Sequence, residues 1–185
     1  MRAGILLPML FTCANLLCCS EPTMEPAKVT NLVTNPSFER GGSPSLEGWT
    51  LVNYDSAFVR FVTDVPPNGG SYSISADNFW AFRFSLQASF PISPGEHMYQ
   101  FSAWSRIDAP LSWGEMSIRH KTADTTFDRK SIWFDDSVWT KQILADTIVG
   151  EQADTIVVSL HSDPSQWSSG SVFYDLVELI QTDGP

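Results

Sequence analysis

The tryptophans are the side chains of this sequence best suited to bind a ligand. There are seven among 185 residues. Aromatic faces pack against the apolar C–H patches of sugar rings, while nearby polar side chains hydrogen-bond the hydroxyls. One hypothesis is therefore a carbohydrate site built on a Trp, and Trp113 and Trp167, in segments predicted as loops, are candidates. The alternative is a structural role, which we prefer for Trp49, packed in the core after a turn, and for Trp139, just before a predicted strand.

Alternation of apolar and polar residues gives these side chains a direction. Over Met98–Ile107 the apolar residues occupy every second position, and Trp104 falls on the opposite side together with Arg106. Because successive strand residues face opposite ways, we expect both side chains to leave the core. The same outward parity is predicted for Arg83, Gln87, Arg119 and His161. Whether their strands belong to one sheet stays open.

The acidic residues give little support to a hydrolase. A glycosidase needs two Asp or Glu side chains that flank one sugar bond. Asp135 and Asp136 are the only adjacent acidic pair, and neighbours on a strand point to opposite faces. The sequence has no nucleophile elbow, phosphate-binding glycine loop or His/Cys metal cluster. We therefore predict a protein that is not an enzyme.

Composition predicts a folded, acidic protein. Hydrophobic residues make up 43% of the chain and charged residues 17%, which is enough apolar material for a core. The formal net charge is −10 and the isoelectric point is about 4.5. A nucleic-acid polyanion would be repelled by this field, so we exclude nucleic acid as a partner.

The first 19 residues have the pattern of an export signal. Arg2 supplies a positive start, and an apolar stretch runs over Ile5–Leu17. This stretch is too short for a mature membrane span. All three cysteines (Cys13, Cys18, Cys19) lie within the first 19 residues, so we expect no disulfide in the rest of the chain.

The end of this signal resembles a bacterial lipobox. In Leu16–Ser20, Cys19 is the candidate for lipidation, although Cys18 stands where a small residue is expected. The alternative is simple cleavage near Ser20 and secretion of a protein without an anchor. Membrane contact is therefore expected only through such a lipid. Residues 20–29 are polar with two prolines and predict a tether.

The remainder, residues 30–182, has the pattern of an all-β fold. No stretch keeps a 3.6-residue apolar period, and short alternating runs are separated by turn residues. The runs predict about nine strands between Phe58 and Ile180. This pattern is typical of a β-sandwich or jelly roll.

Four motifs in this region resemble one protein family in order and spacing. They are Asn31–Glu39 with Gly48–Trp49, Gly70–Ile74, Pro94–Trp104 and Phe173–Leu179. Together they resemble the carbohydrate-binding modules found beside xylanases and cellulases, with one departure, Leu176 in place of an Asp. The resemblance implies a galactose-binding-like jelly roll and non-catalytic polysaccharide binding. Since fold does not fix function, a structural or adhesion module is the alternative, and a glycoside-active enzyme a distant one.

The resemblance also implies particular site residues. Trp80 stands where xylan-binding members carry a Trp that stacks on the ligand. Its parity with Phe82 and Phe84, however, favours the core as the alternative.

A structural calcium ion is the second implication of the resemblance. Related modules hold the ion between an opening Glu and a closing Asp, which match Glu39 and Asp175 here, with help from the carbonyls of Gly70 or Ser71. Hard oxygen ligands at these places suit calcium. The alternative is a surface Glu and an Asp hydrogen-bonded to backbone.

Overall fold

The described part of the chain consists of strands and connecting turns. The computed structural model describes residues 29–52, 59–78, 84–109, 112–123, 125–164 and 170–183. Within them lie β1 (Glu39–Arg40), β2 (Ser43–Pro44), β3 (Thr50–Val52), β4 (Val59–Val62), β5 (Ser73–Asn78), β6 (Ser85–Pro91), β7 (Gly95–Ile107), β8 (Ser112–Lys121), β9 (Thr126–Phe134), β10 (Thr140–Gly150), β11 (Thr155–Pro164) and β12 (Gly170–Asp183). These residues include no helix that could span a membrane.

Ten of the strands in the described residues form two five-stranded antiparallel sheets. The first sheet has the order β10-β7-β12-β5-β4, and the second has the order β3-β6-β11-β8-β9. β1 and β2 pair as a separate short hairpin. The all-β sandwich fold is thus confirmed, and β4 to β12 correspond to the nine predicted strands. The export signal, most of the tether and Cys19 lie outside the described residues, as do Trp80, Arg83 and Trp167.

The core lies between the inner faces of the two sheets. On β7 the alternation predicted from sequence is present, since Tyr99, Phe101 and Ala103 are fully buried. Leu160 of β11 is equally buried on the opposing sheet. Full burial of a large apolar side chain contributes about 2 kcal/mol relative to exposure. Trp49 belongs to this core and is 8% exposed, in agreement with the packing role preferred for it.

One tyrosine ties the two sheets together. Tyr174 of β12 is fully buried, and its O–H lies within hydrogen-bonding reach of the carbonyl oxygens of His161 and Glu115 on the second sheet. Burial raises the pKa of Tyr174 well above its usual value, while the contact to the His161 carbonyl opposes the rise. This side chain fixes the backbone beneath the outer face of the second sheet.

The prediction that Trp113 lies in a loop is wrong. β8 begins at Ser112, so Trp113 and Gly114 lie inside the strand. Gly114 does not mark a turn; packing requires a glycine at this position. A side chain at Gly114 would collide with the ring of Phe134, which packs edge-on against Tyr174 at a centroid distance of 5.7 Å.

Candidate functional site

The opening segment of the domain is folded by one buried asparagine. The side-chain oxygen of Asn35 accepts a hydrogen bond from the Glu39 amide at 2.9 Å, and its amide donates to the Ser45 carbonyl at 2.8 Å. The indole N–H of Trp49 donates to the Asn35 carbonyl at 3.1 Å. These bonds place Glu39 at the start of β1.

The Gly69–Gly70 turn surrounds the Glu39 carboxylate. Glu39 Oε1 accepts hydrogen bonds from the backbone amides of Ser71 and Tyr72, the latter at 2.6 Å. A side chain at Gly70 would collide with Glu39 Oε1. The structure therefore brings Glu39, Gly70 and Ser71 together, and the contact it shows uses the Ser71 amide.

Asp175 of β12 is a buried carboxylate at the same turn. Its Oδ1 accepts the Leu176 amide at 2.7 Å, whereas its Oδ2 has no hydrogen-bond partner. A Cβ at Gly69 would lie 2.8 Å from Oδ2. Burial raises the pKa of Asp175 to about 7, the Leu176 hydrogen bond opposes this, and the negative charge of Glu39 adds to the rise. Two carboxylates that repel each other at a buried place need a cation or a proton.

The chemistry of this pair fits a calcium ion. Calcium takes six to eight oxygen ligands, and both carboxylates and backbone carbonyls serve. Within the described residues no group of three or more His, Cys, Asp or Glu side chains could hold a metal. Glu39 and Asp175 are two carboxylates, so backbone carbonyls or water would have to complete the shell of an ion held between them.

The outer face of the second sheet carries rows of polar residues, which we call the polar face. One row runs across four strands as Trp133, Glu115, His161 and Ser85, and the next as Ser131, Ser117, Ser159 and Gln87. Thus His161, Arg119 and Gln87, predicted to point outward, do share one sheet. Trp113 lies on the same face, two residues before Glu115.

The middle of the polar face is buried, and one end of it carries exposed aromatic rings. Glu115, Ser117 and Ser159 are inaccessible, and His161 is 6% exposed. A ring nitrogen of His161 lies 3.2 Å from Ser117 Oγ, and Arg119 donates to Ser159 Oγ at 3.3 Å.

The exposed rings at that end are Trp113 and Trp133, at 42% and 44% exposure. Neither Trp133 nor Glu115 was singled out from the sequence. Alternation could have found both, because Ile132 and Phe134 on either side of Trp133 face the core.

Two further residues predicted to bind a ligand, Trp104 and Arg106, lie on the first sheet. Trp104 is half-buried on its outer face, as its parity predicted. Arg106 lies on the same face, but its guanidinium stacks over the Phe173 ring at 3.8 Å and pairs with Asp64. Trp139 also contacts this cluster and donates to Asp64 at 3.0 Å, so it has a structural role on the outer face of the sheet and not in the core. Trp104 and Trp113 are thus on opposite outer faces of the sandwich.

Comparison with solved structures finds the same fold in several carbohydrate-binding modules. No protein-family model and no curated protein matches the sequence. The structure superposes on the TmCBM61 module solved in complex with β-1,4-galactotriose (TM-score 0.59, 16% identity, 83% of this chain and 99% of that one). It also superposes on a family 16 carbohydrate-binding module (TM-score 0.61, 18% identity, 80% of this chain and 99% of that one). A third match is the CBM22-2 xylan-binding domain of Paenibacillus barcinonensis Xyn10C (TM-score 0.55, 12% identity, 80% of this chain and 98% of that one).

The fold is that of a carbohydrate-binding-module jelly roll. The resemblance drawn from the four sequence motifs is confirmed at this level. At these identities the match concerns the fold, and what this module binds has to be argued from its own side chains.

Proposed function

We propose that this chain is an exported, non-catalytic module that binds polysaccharide on the polar face of the second sheet. The observation that carries the proposal is the pair of exposed indole rings, Trp113 and Trp133, on the same face as the partly exposed Gln87 and Arg119. Sugars present hydroxyls that both donate and accept, together with apolar ring faces. The indoles can pack against the ring faces, and Gln87 and Arg119 can hydrogen-bond the hydroxyls.

The polar face is held in place before any ligand arrives. Arg119 holds Ser159, His161 contacts Ser117, and Tyr174 fixes the strands beneath. Side chains that are already ordered lose little entropy on binding, so more of the interaction energy contributes to affinity. The net charge of −10 favours a neutral glycan over an acidic one. The galactotriose in the CBM61 structure is a neutral sugar of this kind, and the CBM22-2 domain is named as xylan-binding.

We also propose that Glu39 and Asp175 hold a structural calcium ion. The unpartnered, buried Oδ2 of Asp175 beside the Glu39 carboxylate supports this ion. The ion would neutralise the pair and join the N-terminal hairpin to β12. It would stabilise the fold and need not touch the sugar.

Retention on polysaccharides tests the binding proposal. We expect the purified domain, residues 29–183, to be retained on at least one neutral polysaccharide such as xylan, β-1,4-galactan or cellulose, with no reducing sugar released in the same wells. Release of sugar would show an enzyme. Retention on none of them would favour a structural or adhesion module.

Cys19 tests the export proposal. In a bacterial host the full-length protein should fractionate with membranes and incorporate labelled fatty acid, because we propose that Cys19 is lipidated. Cys19→Ser should abolish the label and shift the protein out of the membrane fraction. Identical fractionation of parent and variant, without label in either, would leave a secreted protein with no anchor.

A further inference from the structure

A shallow depression on the outer face of the first sheet offers a second place for a sugar. It has a volume of about 160 Å³ and is lined by Asn31, Pro36, Trp104, Lys141, Leu176 and Glu178. We propose that this Trp104 depression binds a single neutral sugar unit, a chain end or a branch, so that the module holds two glycan segments at once. The inference rests on the proposed glycan binding and adds a site to it.

Trp104 supplies the aromatic part of this depression. It lies between Lys141 and Asp175 in the register of the first sheet. Within the described residues its indole N–H has no hydrogen-bond partner. A half-buried indole thus offers an apolar surface and an unused donor to the same ligand.

A fixed ion pair supplies the polar part. Glu178 Oε2 accepts hydrogen bonds from Lys141 Nζ at 2.7 Å and from Ser102 Oγ at 3.1 Å. The Lys141 hydrogen bond holds the pKa of Glu178 below its usual value, so the carboxylate is ionised at neutral pH. Vicinal hydroxyls match this pair, since one can donate to the carboxylate while its neighbour accepts from the ammonium.

One apolar residue that lines the depression is held in an unusual backbone conformation. Leu176 has a φ of 47°, within an irregularity of β12 between Asp175 and Glu178. Such a conformation costs on the order of 1 kcal/mol or more in a residue other than glycine, and bulges often re-aim a side chain. The Val177 amide donates to the Pro36 carbonyl at 2.7 Å and fixes the bulge. An apolar Leu therefore lines the depression.

The size and position of the depression set what it can do. Typical small-molecule sites measure about 300–1,000 Å³, so this one holds one ring and binds weakly. The outer faces of a sandwich point in opposite directions. A short oligosaccharide cannot reach both the Trp104 depression and the polar face. Two weak sites on separate chains would raise retention on a dense polysaccharide by avidity.

The test follows individual indole resonances of the ¹⁵N-labelled domain titrated with xylobiose or β-1,4-galactobiose. We expect the Trp104 and Trp113 signals to shift with independent midpoints, the Trp104 midpoint in the millimolar range. Glu178→Gln, which keeps the shape of the side chain, should weaken the Trp104 response about tenfold, equal to the loss of one charged hydrogen bond, and leave Trp113 unchanged. Lys130→Gln is the matched control, since it removes an exposed ion pair to Asp146.

The outcomes separate this inference from the proposed function. If Trp113 saturates while Trp104 does not move, or if Glu178→Gln changes nothing, the depression is not a site and binding at the polar face stands. If neither signal moves with either sugar and no polysaccharide retains the domain, the depression and the proposed function are both overturned.

Discussion

Chelation of calcium should lower the melting temperature of this module by about 10 °C at pH 7.5. An ion bound only to the native state stabilises it by about 4 kcal/mol when the free ion is at a thousand times its Kd. In a domain of this size each kcal/mol shifts the melting temperature by about 2–4 °C. Calorimetry with and without chelator measures the difference. An unchanged melting curve would reject a removable ion at Glu39 and Asp175.

Asp175 should also give the stability of the calcium-free protein an unusual pH dependence. The pKa of Asp175 is about 7 in the folded protein, against an unperturbed value of 3.8. The native state therefore binds the extra proton between about pH 4 and pH 7, so the contribution of Asp175 to stability is full below this window and is lost as pH rises through 7. The loss amounts to about 4 kcal/mol at most. Asp175→Asn should remove this slope in chelator, and the difference between the two proteins isolates it from other acids.

Two variants distinguish a calcium site from a general weakness of the fold. Asp175→Asn should abolish the stabilisation by added calcium while melting at or above the parent in chelator, because an uncharged amide avoids repulsion by Glu39. Gly70→Ala should lose the calcium response too, since the added methyl group would displace the Glu39 carboxylate. A variant that loses stability in chelator yet keeps the full calcium response would contradict this assignment.

The sequence predicted which way the side chains of a strand point better than which strands lie next to each other. Alternation alone showed that Trp104 leaves the core and that Arg119 and His161 point outward. It could not place Trp104 and Arg119 on different sheets, because strand order depends on long-range pairing. The loop prediction for Trp113 fails for a local reason. Gly114 resembles a turn residue in the sequence, but it lies inside a strand, where only a glycine leaves room for the Phe134 ring.

The candidate metal pair depended on the family resemblance. Glu39 and Asp175 lie near opposite ends of the domain, and no local pattern joins them. The row that includes Glu115 and Trp133 depends on the register between β8 and β9, which shifts at Arg119. Such irregularities are not encoded in an alternating pattern, so the pattern cannot give the register beyond them.

Removing both exposed indoles of the polar face should abolish polysaccharide retention. Loss of one stacking ring costs on the order of 2 kcal/mol, about thirtyfold in affinity, and loss of both up to about a thousandfold if the two act independently. We expect Trp113→Ala and Trp133→Ala each to weaken retention on the polysaccharide that the parent binds. Trp113→Tyr should keep most of it, since a flat ring remains. Affinity electrophoresis or calorimetric titration measures the change.

Stability has to be separated from binding in this experiment. A core Trp→Ala change costs about 3–5 kcal/mol of folding free energy. Trp113 and Trp133 are each more than 40% exposed, so replacing either by Ala should cost far less. Ile143→Ala is the control, because this half-exposed residue lies on the other sheet and its loss tests nonspecific adsorption by apolar surface. If the double variant melts like the parent and binds like it, the polar face is not the glycan site. Trp80 and Trp167, which the sequence also marks, would then be the residues to test.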